Sequence, residues 1–142
     1  MIKTIFNAGR YSNNINLVLF LLRVTAGVFM LTHGMGKFST LFGEEPIKFA
    51  DPIGIGETAS LVLAVFAEVL CSILLIFGIA TRFAAIPLLI TMLVAAIIVH
   101  ANDEFGRKEL PFLYGVVYLS IALAGAGKFS MDHWIYQNIK RK

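Results

Sequence analysis

The stretch ETASLVLAVFAEVLCSILLIFGIATRFAAIPLLITMLVAAIIVHA, residues 57–101, decides the fold class. It holds two apolar runs, each about 20 residues long and so able to cross ~30 Å of hydrocarbon as a helix. Only a tight Ile79-Ala80-Thr81 lies between them, too short for anything but an antiparallel helical hairpin. Working outward, the same length rule finds two further runs. The spacing predicts four spans: Ile15 to Gly34, Glu57 to Ala80, Arg82 to Ala101 and Glu109 to Gly127. The breaks are polar or glycine-rich, HGMGKFSTLFGEEPIKFADPIGIG first and NDEFGRK last. The expected architecture is all-α, an integral membrane four-helix bundle formed by residues 1–142 as a single domain.

Composition agrees. Of 142 residues, 58% are hydrophobic and 15% charged, and mean hydropathy is +0.79. A soluble domain of this size buries only about two thirds of its surface, so such an apolar excess has no place in water. The net charge of +3 is scattered, with no cluster able to track phosphates, which argues against nucleic acid. The one cysteine, Cys71, excludes an internal disulfide, and no C-x-x-C offers a dithiol relay or haem attachment. No removable signal peptide is visible in MIKTIFNAGRYSNNIN, so the first run is expected to stay as an anchor.

Orientation follows from Lys and Arg outside the runs. Lys3, Arg10, Arg82, Lys128, Lys140, Arg141 and Lys142 flank one side, against Lys37, Lys48, Arg107 and Lys108 on the other. Both termini are therefore expected in the cytoplasm, with the membrane crossed several times. Tyr11, Trp134 and Tyr136 would lie at the cytoplasmic interface. Pro111 is expected at the start of the fourth helix, Gly125 to Gly127 at its end, and Pro87 early in the third.

A charge near mid-bilayer costs roughly 2.5 to 3.5 kcal/mol even on a forgiving scale, so each needs a partner, water or a task. Arg23 and Glu68 stand out. With the first helix ending near Gly34, both lie ~16 Å below the outer surface on adjacent antiparallel helices. An interhelical ion pair is expected, either locking the bundle or holding a ligand carbonyl on the guanidinium while Glu68 handles its proton. Nearer the outer edge, His33 would close helix one and His100 helix three, flanked by Lys37, Glu57, Glu104 and Glu109. Two histidines at one level suit proton transfer or ligand contact; their spacing matches no known metal motif, and no metal is expected. Gly34 and Gly36 are expected to break helix one, leaving Lys37 at an entry path. Tyr114 and Tyr118 share a face of helix four, where Tyr118 would extend the Arg23 and Glu68 hydrogen-bond set or simply pack. His133 reads as a surface residue.

The segments LRVTAGVFMLTHGMGKF, AEVLCSILLIFGIATRFAA and ELPFLYGVVYLSIALAGAGKFSMD, in this order and spacing, resemble the DoxX family of small four-helix bacterial membrane proteins. The likeness runs from Leu22 to Trp134 and includes Arg23, Gly27, His33-Gly34, Lys37, Glu68, Gly78 and Thr81-Arg82. The ending G-x-G-x-x-S-x-D spans Gly125 to Asp132, with Met131 where leucine is usual. That family takes its name from the membrane subunits of a thiosulfate:quinone oxidoreductase, and other members look like membrane partners in oxidative-stress or sulfur-redox assemblies. The resemblance implies a quinone-interacting subunit of a redox complex in the bacterial plasma (inner) membrane. No cofactor would be covalently bound, and electrons would pass between a bound quinone and a partner protein. Arg23 would then polarise the quinone, Glu68 exchange its proton, and His33 or His100 connect to water. The competing readings are a non-catalytic membrane scaffold for a soluble enzyme and a proton-coupled carrier. A carrier would need a homo-oligomer to supply the inverted repeats that four helices lack.

Overall fold

The computed structural model describes residues 8–9 and 11–140. Lys3, Arg10, Arg141 and Lys142, which contribute to the charge count, lie outside these residues. The described residues form helices and connecting loops with no strand: α1 (Asn13–Leu41), α2 (Glu57–Phe77), α3 (Thr81–Val99), α4 (Phe105–Ala124) and α5 (Met131–Lys140). The first four make the bundle. α1 lies along α2, and α3 packs most extensively on α4. The first three are long and apolar enough to cross a membrane, and α4 carries 20 residues, about 30 Å of helix.

The core is a column that includes Ala26, Met30, Leu75, Leu88, Tyr118 and Ile121. The bundle's outside is as apolar as its centre. Leu123 is 69% exposed and Val116 62%, a surface that belongs against lipid rather than water.

Two helix ends differ from the sequence expectation. α1 does not break at Gly34 or Gly36 but continues to Leu41. The reason is packing. A Cβ on Gly34 would lie 2.9 Å from the carbonyl carbon of Glu68, and one on Gly27 2.7 Å from Ile76 Cγ1. Seven residues apart, these glycines lie on the same helix face and let α1 and α2 approach backbone to backbone. α4 begins at Phe105, so Pro111 lies inside it, two turns from its start. α5 has no counterpart among the four expected spans.

α5 braces the hairpin. Gly78 ends α2 in the left-handed region (φ 70°), where the Ile79 N–H donates to Leu74 O at 2.9 Å. The buried Asp132 carboxylate then accepts from the N–H groups of Ala80 (2.7 Å) and Thr81 (2.9 Å), capping α3. Its own N–H donates to Gly78 O at 2.8 Å. One residue near the chain's end thus fixes both sides of the turn, a cap worth about 0.5–2 kcal/mol in other helices.

Candidate functional site

The expected Arg23 and Glu68 pair does not form. Because α1 continues through Gly34, which packs on the backbone of Glu68, Arg23 lies eleven residues, about 16 Å, farther down the bundle than Glu68. Arg23, 1% exposed, instead faces the C-terminal end of α2. Its Nη1 donates to Leu75 O and Ile76 O, both at 2.7 Å, and its Nη2 to Phe129 O at 2.6 Å. The two α2 acceptors are carbonyls of its last turn, at the negative end of the helix dipole, and Leu75 O also accepts from the Gly78 N–H at 3.2 Å. Asp132 provides the counter-charge nearby, and Cζ lies 5.7 Å from the centre of the Phe20 ring. Gly78 is obligatory here, since a Cβ would stand 2.5 Å from Arg23 Nη1. This cluster is a clasp that ties α1 to the end of α2 and to the Phe129 carbonyl.

Glu68 finds another cation. Lys37 Nζ lies 2.5 Å from Oε1 and 2.6 Å from Oε2, with side-chain exposures of 31% for the lysine and 3% for the carboxylate. Sequence reasoning places Lys37 in a loop and so misses this pair. The signal is present nonetheless: positions 23, 27, 30, 34 and 37 are spaced four, three, four and three apart, one continuous helical stripe. Followed past Gly34, that stripe aims Lys37 at α2.

The pair lies on the wall of a cavity of about 320 Å³ among α1, α2, α3 and the first loop. Its volume falls at the lower end of the ~300–1,000 Å³ typical of small-molecule sites. Lys37, Glu68, Ser60, Thr91 and His100 are its polar lining; Leu63, Ile90 and Val94 are among its apolar walls. Leu63 (50%) and Ile90 (54%) are also exposed on the outside of the bundle, so the cavity borders the lipid-facing surface between α2 and α3.

Both helices that flank it carry wide i→i+5 turns, Phe66–Cys71 in α2 and Ala95–Val99 in α3. Such turns recur at functional sites because an extra residue re-aims the side chains around it. Glu68 sits inside the first, and His100 immediately succeeds the second. Sequence offers no sign of either, since a wide turn has no residue signature.

The remaining expectations divide. His100 lines the cavity, and its Nδ1 lies 2.7 Å from Asp103 Oδ2. His33 is exposed on α1 and is not among the lining residues. Tyr118 is fully buried, stacks on Tyr114 with ring centres 5.9 Å apart, and donates to Ala26 O at 3.3 Å rather than joining Arg23 and Glu68. His133 is half-buried beside Gln137.

The first loop is pinned over the cavity. Asp51 accepts from Ser60 Oγ (2.8 Å), Gly56 N–H (2.8 Å) and Ile55 N–H (3.0 Å), while its neighbours Ala50 and Pro52 line the cavity. The Ser60 hydroxyl and then these amides hold the Asp51 carboxyl below the usual carboxylate range. A lowered native value means stabilisation that is fully present above the ordinary Asp value of ~3.9 and is lost as pH falls through the native one. Protection of the Ile55 and Gly56 amides against hydrogen exchange is therefore expected to hold at neutral pH and fall below about pH 4. In Asp51→Asn the protection should be weak throughout; unchanged protection in that variant would contradict the pin.

The DoxX sequence profile matches residues 18–101, which carry Arg23, Lys37, Glu68 and His100. The chain belongs to the DoxX family. One relative, "Putative oxidoreductase CatD" of Bacillus subtilis (strain 168), is 30% identical over 121 residues, covering 84% of this chain and 88% of its own. Two proteins of Haemophilus influenzae, each named "Uncharacterized protein", are also similar. One is 29% identical over 84% of this chain and 91% of its own. The other is 38% identical over 49% of each chain. No solved structure matches significantly. The DoxX bundle thus has two charged centres: the Arg23 clasp at one end and the Lys37–Glu68 cavity toward the other.

Proposed function

We propose that this DoxX protein is the quinone-interacting membrane subunit of an oxidoreductase complex, with the Lys37–Glu68 cavity as its quinone site. The observation that carries this reading is a buried carboxylate paired to a lysine in a mainly apolar cavity that borders the lipid surface. A quinone is a flat apolar ring with two carbonyl acceptors, soluble in the bilayer and not in water. The residues fit it: apolar side chains for the ring, and an ammonium for a carbonyl oxygen. The name of the Bacillus relative, an oxidoreductase, points the same way.

When bound, a quinone supplies redox chemistry in which two electrons and two protons convert its carbonyls to hydroxyls, the electrons coming from a partner protein. Lys37 donates a hydrogen bond to one carbonyl oxygen and stabilises the negative charge that builds there. Glu68 holds Lys37 in place and offers a carboxylate through which a proton is exchanged. The walls exclude water, which strengthens both interactions. This assignment moves the polarising role from Arg23 to Lys37.

Purification in mild detergent and subsequent lipid extraction are expected to recover quinone with the wild-type protein, and much less with Glu68→Leu. Equal recovery from both would sink the assignment. If no quinone accompanies the wild type, the scaffold reading takes its place.

We further infer that both termini are cytoplasmic in the plasma membrane. Lys37 is part of α1 and ion-paired, which leaves three basic residues on the loop side against seven on the terminal side. Reporter fusions at Gly43 and at the C-terminus should report opposite compartments; the same compartment for both would refute this topology.

A further inference from the structure

A ligand taken from the bilayer still needs protons from water, and the cavity has a residue built to pass them. His100 succeeds the wide turn Ala95–Val99, closed by a 2.9 Å bond from its N–H to Ala95 O. One extra residue in a turn rotates the next side chain by about 100°, and His100 is thereby directed over the cavity. Its side chain is 32% exposed, so the ring has the cavity on one side and water on the other.

The ring is oriented. Nδ1 lies 2.7 Å from Asp103 Oδ2, and Asp103 is itself 3.6 Å from Arg107 Nη1. The His100 bond first, then the charges of Arg107 and Lys108, hold the Asp103 carboxyl below the usual range. At neutral pH Asp103 is therefore an acceptor, which places the hydrogen of the bond on Nδ1 and leaves Nε2 as the atom that gains and loses a proton. The other charges around the cavity, Lys37 and Glu68, are paired with each other, and Lys108 Nζ donates to Ala101 O at 2.7 Å.

We propose that His100, held by Asp103, is the proton-exchange residue joining the cavity to the aqueous phase on the loop side. The proposal rests on the quinone reading above. For each carbonyl oxygen reduced, Nε2–H gives its proton toward the site, and the vacated Nε2 takes one from water. The electrons arrive separately from the partner protein. His33, exposed and away from the cavity, takes no part.

The test uses the full chain in nanodiscs on an electrode, with a short-chain benzoquinone as probe and the electrode as electron source. Equilibrium binding of the probe is measured beside the rate of its proton-coupled reduction. His100→Ala should bind within about twofold of wild type yet be reduced at least ~10-fold more slowly between about pH 5 and 8, and millimolar imidazole should restore the rate. Asp103→Asn should slow reduction with binding retained, and Asp103→Glu should recover part of the loss. A protein-bound reduction in His100→Ala at the wild-type rate overturns the proton role while leaving the quinone site standing. Absence of probe binding by the wild type overturns the quinone site itself, and the proton role with it.

Discussion

Arg23→Met is expected to cost about 3–5 kcal/mol of stability, read as a large fall in unfolding midpoint in detergent, and a second replacement, Glu68→Leu, should restore none of it. The substitution strips donors from three carbonyls, Leu75, Ile76 and Phe129. It also leaves the buried Asp132 without its nearby cation. None of these partners is Glu68, so the two replacements should add with no coupling beyond the ~0.3–0.5 kcal/mol of distant sites. Arg23→Lys should fall in between, because a single ammonium cannot reach acceptors in both α2 and the segment between α4 and α5 in the fork geometry that guanidinium provides. Recovery in the Arg23 and Glu68 double variant would mean that the two charges pair after all.

The second large effect is expected at the cavity, with the opposite coupling. Lys37→Met leaves Glu68, 3% exposed, with no cation, which in buried pairs costs ~3–5 kcal/mol. Adding Glu68→Leu removes the stranded charge and should restore most of the stability, because an apolar pair suits a site already walled by leucine, isoleucine and valine. Quinone recovery should not return with the fold, since the polar contacts are gone. A double variant that is stable and still carries wild-type quinone would show that the pair is structural only. The two centres differ for a physical reason. At the Arg23 clasp the hydrogen-bond acceptors are backbone carbonyls that no second mutation can remove; at the Lys37 cavity the acceptor is one side chain that can be deleted.

Membership of an all-helical membrane bundle was legible from local information, because run length against bilayer thickness and the lack of slack at 79–81 leave little choice. The hairpin and the last helix of the bundle emerge from such signals to within a few residues. That Arg23 and Glu68 are unusual was legible too, since a charge in an apolar run is expensive wherever it points. Their partners were not. Partner choice depends on depth, and depth on where α1 ends. The two glycines near its end read locally as helix breakers, but in the tertiary structure Gly34 is held in helix by the backbone of α2 pressed against it. With Gly34 level with Glu68, the continuing helix brings Lys37 to Glu68 and leaves Arg23 at the last-turn carbonyls of α2. The wide turns at Phe66–Cys71 and Ala95–Val99, beside which Glu68 and His100 line one cavity, likewise have no residue signature. The sequence by itself determined which residues are too polar for their surroundings; only the tertiary structure decided what satisfies each of them, because hydrogen bonding of a buried charge is settled by whichever groups packing brings within about 3 Å.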